Sequence, residues 1–260
     1  MLQGKSVIVT GSTSGIGLGI ARAFAEQGAD VLLNGFGEPD AIDSLRHELE
    51  TRHGVRVRYS PADMASPAAI RGMADYARGE FGKVDILVNN AGIQHVAPLE
   101  EFPGDRWDAI LAVNLSSAFH LIKALLPEMK ARRWGRIVNV ASAHGLSASP
   151  FKSAYVAAKH GLVGLSRAVA LEVAEYGVTC NTLCPSYVKT PLVERQIAEQ
   201  ARAHGISADN VVRDVLLAHQ ARKEFVAVEE LAALTLFLCS DAAASMTAAA
   251  LAMDGGWTQH

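Results

Sequence analysis

Tyr155 and Lys159 stand four residues apart within the stretch SAHGLSASPFKSAYVAAK at 142–159. If the chain is helical from Lys152 onward, residues at that spacing lie one above the other on the same face. A free phenol titrates near about 10, so it exchanges protons poorly at neutral pH unless a cation stabilises the phenolate. Lys159, one turn on, supplies such a cation. Ser142 ends the apolar run at 137–140 and would hold a carbonyl or alcohol oxygen beside the phenol. The three residues have the layout of an acid/base site, although a Tyr and a Lys at this spacing also share helices without any chemistry.

Such a site needs elements to position it. With 260 residues, 50% of them hydrophobic and 20% charged, the chain is long enough for one large α/β domain. The net charge of -3 and the lack of a basic run argue against nucleic acid as a partner and leave room for a small anionic substrate. Cys180, Cys184 and Cys239 show no CxxC spacing and sit in apolar runs, which predicts free thiols, no metal site and a reducing, cytoplasmic compartment. The opening MLQGKSVIVTGS has no long apolar region, and no run approaches the ~20 apolar residues that cross a bilayer, so no membrane association is expected.

From the start, SVIVTGSTSGIGLGIARAFAEQG reads as a buried strand, a glycine-rich turn and an amphipathic helix. Gly11, Gly15 and Gly17 keep side chains out from between backbone and ligand, and the helix N-terminus offers N–H groups to a pyrophosphate. Thr13 and Ile16 lie in the same turn. The spacing differs from G-x-G-x-x-G, and a glycine loop alone is a weak sign. A second strand at 30–34 leads to Asn34 and Phe36, where an adenosine ribose would lie. No Arg or Lys stands between Asp30 and Leu45 to pair with a ribose 2′-phosphate, which favours NAD over NADP. Asp63 would bond the adenine amino group or cap the next helix.

Helices at 41–53 and 68–81 flank a strand at 55–60. The apolar strand that follows ends in Asn89, Asn90 and Gly92; Asn90 and Gly92 would line the cofactor, and Asn89 would tie neighbouring strands. The helical pattern at 105–131 contains Asn114, a polar group that is costly inside an apolar helix without partners. A buried strand at 136–140 delivers Ser142, and the helix at 152–176 carries the tyrosine and lysine. After a strand beginning at Val178 comes CPSYVKTPL, then an Ala-rich helical segment at 192–220 with a break at Gly205, which reads as part of a lid over 186–220. A helix at 228–239 and a strand at 250–253 close the chain. Strands alternating with helices predict one doubly wound, Rossmann-type domain over 1–260, its parallel sheet covered by helices on both faces.

In order, the chain carries Thr10-Gly11-x-x-x-Gly15-x-Gly17, Asn89-Asn90-Ala91-Gly92, Asn114, Ser142, Tyr155-x-x-x-Lys159, Cys184-Pro185 and Asp254-Gly255-Gly256. With these it resembles the classical short-chain dehydrogenase/reductase family over nearly its whole length. The resemblance implies an NAD(P)-dependent oxidoreductase in which Tyr155 exchanges a proton with the substrate oxygen and Ser142 steadies that oxygen. Lys159 would favour the phenolate and hold the nicotinamide ribose, and Asn114 would anchor a water leading to solvent. Pro185, Val188 and Thr190 would meet the nicotinamide end.

Around the site, NGFG, GIQH, SAHG, KSAYVAAKHG and TPLVERQI resemble the 3-hydroxybutyrate dehydrogenases of that family. The resemblance implies NAD-dependent, reversible oxidation of D-3-hydroxybutyrate to acetoacetate, with Gln94, His144, Lys152 and Gln196 around the carboxylate, and a homotetramer. Ser186 and Tyr187 depart from the usual glycine and tryptophan, and Ala248 from a usual glycine. Trp257 would complete a neighbouring pocket. Another small hydroxy or keto acid, a sugar acid or an acyl thioester is the alternative substrate, and a non-catalytic dinucleotide-binding regulator the alternative class.

Overall fold

A computed structural model describes residues 2–190, 193, 194, 197, 201 and 205–259. Among the described residues, seven parallel strands form one sheet: β1 (Ser6–Val9), β2 (Asp30–Asn34), β3 (Val57–Ser60), β4 (Ile86–Asn89), β5 (Gly135–Val140), β6 (Val178–Pro185) and β7 (Ala250–Met253). Their order across the sheet is β3-β2-β1-β4-β5-β6-β7. The chain winds outward from β1 in one direction and from β4 in the other, so a crevice opens at the carboxyl ends of β1 and β4, where such folds bind ligands.

Side-chain alternation along each strand feeds two cores. Val7, Val9, Val31, Leu33, Ile86 and Val88 face one side, with Ile20 and Phe24 of α1 (Gly15–Glu26) and Leu231 and Leu238 of the last long helix (Val228–Cys239). Ile8, Leu32 and Leu87 face the other, against α3 (Pro67–Phe81), α5 (Ser117–Arg132) and α6 (Ser153–Val173). Both faces are covered, so the central strands read as continuous apolar runs. α2 (Pro39–His53) lies between β2 and β3 in the chain.

Local chemistry sets the helix ends. Ser66 Oγ accepts from the Ala69 N–H at 3.3 Å and Pro67 follows, so Ser66, not Asp63, caps α3. Asp63 Oδ1 instead accepts from Ala65 N–H at 2.8 Å. Gly54 and Gly82 end α2 and α3 with φ of +67° and +79°, a conformation glycine adopts without strain. Both helices begin one or two residues earlier than their apolar periodicity predicts, because proline is well suited to the first helical turn.

The helix expected at 105–131 is interrupted. After α4 (Gly104–Leu111) the backbone widens to π-helical geometry over Ala112–Ser116, centred on Asn114, and then continues as α5. π-bulges of this kind concentrate at functional sites. The helical run 104–132 is apolar and long enough to cross a membrane by composition, but Leu121, Leu125 and Met129 pack into the core beside α3. β6 extends through Pro185, two residues past the expected apolar run, because β7 pairs with it up to Met253.

Candidate active site

The glycine turn holds a shape that side chains at Gly11, Gly15 and Gly17 would strain or block. Gly11 (φ +62°) and Gly15 (φ +55°) adopt left-handed conformations, and a Cβ on Gly17 would collide with the Gly11 carbonyl oxygen and Asn90 Nδ2. Thr10 and Asn90 lock the turn to the end of β4. Asn90 Nδ2 donates to the carbonyls of Thr10 (2.9 Å) and Gly11 (3.1 Å), and Thr10 Oγ1 accepts from the N–H groups of Asn90 (2.9 Å) and Ala91 (3.0 Å). Asn89 ties strands, as expected, with its Nδ2 donating to Asn139 Oδ1 at 2.7 Å.

Asn34 is buried and structural: Nδ2 donates to the carbonyls of Ser60 (3.1 Å) and Ala62 (2.9 Å), and Oδ1 accepts from Gly11 N–H at 3.3 Å. That leaves Gly35 and the exposed Phe36 just after β2, where the sequence predicts the adenosine ribose. The Thr13 hydroxyl donates to the Phe36 carbonyl at 2.9 Å, joining this corner to the glycine turn. Across the crevice, Thr190 Cγ2 lies 3.6 Å from where a Gly15 Cβ would stand. Val188 is buried and bridges Val226 in parallel.

α6 presents Tyr155 and Lys159 to the end of β5. The Lys159 ammonium is buried, donates to the Val140 carbonyl at 2.8 Å and lies 5.6 Å from the centre of the Tyr155 ring. Burial lowers its pKa to about 8. Burial also pushes the Tyr155 phenol above its usual value, while the Ser142 hydroxyl beside it pulls the other way. In the protein alone, desolvation outweighs the phenolate stabilisation that the spacing to Lys159 predicts. Asn114 completes the group: its Oδ1 accepts from Ile93 N–H at 2.8 Å and its Nδ2 donates to the Ile93 carbonyl at 2.9 Å. A Gly92 Cβ would lie 3.5 Å from Asn114 Oδ1 and 3.7 Å from Lys159 Nζ, so a bare backbone faces the lysine.

Next to the phenol, His144 is buried between two rings, Tyr155 at 5.8 Å and Trp257 at 4.8 Å between centroids. Its Nδ1 lies 3.3 Å from Ser142 Oγ and its Nε2 2.9 Å from Ser149 Oγ. Burial, with the charges of Lys152 and His160, lowers its pKa to about 4, so the ring is neutral. Lys152, half-buried at the start of α6, has its pKa lowered by burial and its ammonium 5.9 Å from the centre of the Tyr187 ring. No carboxylate pairs with it among the described residues. Gln94 is exposed in the loop after β4, and Gln196 lies outside the described residues.

The family described as short chain dehydrogenase matches residues 5–201. The chain belongs to that family. D-beta-hydroxybutyrate dehydrogenase of Rhizobium meliloti (strain 1021) is 55% identical to it over 254 residues, 98% of each chain. The protein of the same description from Cupriavidus necator is 54% identical over 257 residues, 99% of each. Among solved structures, L-sorbose reductase from Gluconobacter frateurii, complexed with NADPH and L-sorbose, matches with a TM-score of 0.94 at 31% identity, covering 100% of this chain and 98% of its own. This short-chain dehydrogenase has the cradle that a dinucleotide needs, and the free backbone of the glycine turn and of Gly92 is what fits one.

Three contacts of this dehydrogenase escape a reading of the sequence. Trp257 stacks edge-on against His144 of its own chain, because the Asp254 carboxylate accepts from Gly256 and Thr258 N–H groups and curls the tail back. Ser149 reaches His144 from five positions further on, a contact that only the loop's fold reveals. Ser186 Oγ donates to the buried Gln220 Oε1 at 2.8 Å, so the serine in place of the usual glycine has an internal partner.

Proposed function

We propose that this chain oxidises D-3-hydroxybutyrate to acetoacetate, reversibly, with NAD as cofactor. One observation carries the substrate class: a half-buried ammonium, Lys152, stands three residues before the Tyr155 phenol with no carboxylate partner among the described residues. A small carboxylate entering that pocket would give Lys152 its counter-charge and place the substrate hydroxyl near Ser142 and Tyr155. The dehydrogenases of Rhizobium meliloti and Cupriavidus necator support the choice of acid and of hand.

In this reading Tyr155 takes the proton of the substrate hydroxyl and Ser142 donates to the same oxygen. Lys159 holds the phenolate form and the nicotinamide ribose. Asn114 fixes the Gly92–Ile93 turn, and its remaining amide hydrogen anchors a water beside Lys159. When bound, the cofactor would supply the hydride acceptor for the substrate carbon. The dinucleotide would rest on Gly11, Thr13, Gly15, Ile16 and Gly17, with Phe36 and Asp63 towards the adenosine. Asn90, Gly92, Pro185, Val188 and Thr190 would line the rest. The choice of NAD is supported by the first cation after β2, Arg46, being held by Asp43 and Glu50 at 2.9 Å each. Gln94 and Lys152, with Gln196, meet the carboxylate, and His144 walls the pocket as a neutral ring.

The lid expected over 186–220 would close this pocket, and among its described residues Tyr187 packs with Val211, Leu216 and Leu217. An apolar groove between α5 and α6, lined by Phe119, Leu126 and Leu165, suits a second copy of the chain and supports a homotetramer. Three buried free thiols suit the reducing cytoplasm. The test is NADH formation with D- and L-3-hydroxybutyrate offered separately beside NAD or NADP. Turnover of the D isomer with NAD is expected, and silence with both isomers would discard the substrate.

A further inference from the structure

We propose that Phe151 is a positioning residue: its left-handed backbone, tied through its carbonyl to the Ala97 N–H, holds Lys152 at the substrate pocket. The proposal rests on the function above in taking Lys152 as the group that meets the carboxylate.

Phe151 stands where a bulky residue is least at home. Pro150 and Phe151 are the central pair of the turn that leads into α6, and Phe151 has a φ of +65°. A positive φ at the second central position of a turn favours glycine or asparagine, and an aromatic residue is strained there. The side chain does not offset that strain by packing, since it is 56% exposed. Its carbonyl is what is held, accepting from the Ala97 N–H at 3.0 Å. Such strain persists only where the surroundings over-determine it, and it gathers at functional sites.

Two walls of the carboxylate pocket meet at that bond. Asn114 grips Ile93 through both its N–H and its carbonyl, and Phe151 grips Ala97, so Gln94 lies on a short segment anchored on either side. Across the bond, Lys152 follows Phe151 directly and is the N-cap of α6, with a non-helical φ of -124° and ψ of 33°. Its place is therefore set by the turn before it. Tyr155 is held differently. Its neighbours in α6, Ala154 and Ala158, are buried beside Ile110, and Lys159 fastens the helix to Val140. A change of backbone at Phe151 thus moves Lys152 and leaves the phenol in place.

Initial rates of the full-length enzyme, with each substrate varied in turn, test this in Phe151→Val and Phe151→Asn. Both variants remove the ring, but a β-branched residue resists the left-handed region and asparagine accepts it. Phe151→Val should raise KM for D-3-hydroxybutyrate at least about fivefold, because only molecules with Lys152 in place bind the acid, while its kcat and KM for NAD change less than about twofold. Phe151→Asn should keep all three near wild type. Trace acetylation across pH, read by mass spectrometry on the peptide that holds Lys152 without Lys159, reports the Lys152 pKa with no substrate present. It should lie below the ordinary 10.5 in wild type and Phe151→Asn, as burial dictates, and move back towards it in Phe151→Val. Equal KM values for the acid in the two variants would overturn the assignment, as would a fall in kcat matching the rise in KM, or a Lys152 pKa alike in both. If wild type does not oxidise the acid at all, the proposed function fails, while the Lys152 pKa in the two variants still decides what Phe151 does.

Discussion

Lys159 Nζ donates to the carbonyl of Val140 at 2.8 Å, which fastens the helix carrying the phenol to the strand that delivers Ser142. The ammonium is therefore held by the backbone, and its burial lowers the pKa from 10.5 to about 8. Between those values the unfolded chain binds a proton that the folded chain does not, so this group adds stability as pH rises through the window. Below about pH 8 the folded state carries the whole cost, about 3 kcal/mol. In Lys159→Met, turnover should be lost, and the gain in unfolding free energy between about pH 8 and 10.5 should be smaller than in wild type. Urea denaturation across that range measures it, and parallel curves for the two proteins would refute it.

Lys152→Ala should raise KM for D-3-hydroxybutyrate by tenfold to about a hundredfold, the range of one charged hydrogen bond. KM for NAD should change less than about twofold. Initial rates with each substrate varied in turn separate the effects, and equal losses on both would remove Lys152 from the carboxylate pocket.

Ala248 has a φ of +61°, left-handed for a residue with a Cβ, while its N–H donates to the Cys180 carbonyl at 2.9 Å. Glycine relieves that strain and loses part of the gain to its freer unfolded chain. Ala248→Gly should stabilise the fold by about 0.5–1 kcal/mol with kcat unchanged. Thermal unfolding checks it; a lower midpoint would show that the Ala248 methyl packs well enough to outweigh the strain.

Much of this was legible in the sequence. The apolar runs give the strands because both sheet faces are covered, and the glycine turn, Asn114, Ser142, Tyr155 and Lys159 announce themselves by type and spacing. Contacts made only by folding were not legible. Trp257 reaches His144 from more than a hundred residues away, Gln220 meets Ser186 across thirty-four, and the π-helical widening at Asn114 leaves no mark in an apolar periodicity. The sign of the Tyr155 shift was hidden for another reason: spacing shows the cation but not the desolvation that opposes it.

The most direct measurement of the central claim is turnover of D-3-hydroxybutyrate with NAD by Tyr155→Phe, set beside NADH binding followed by fluorescence. With only the proton acceptor removed, turnover should fall at least about a hundredfold while NADH binds as in wild type. Turnover close to wild type would show that Tyr155 is not the acid/base group and would contradict the account.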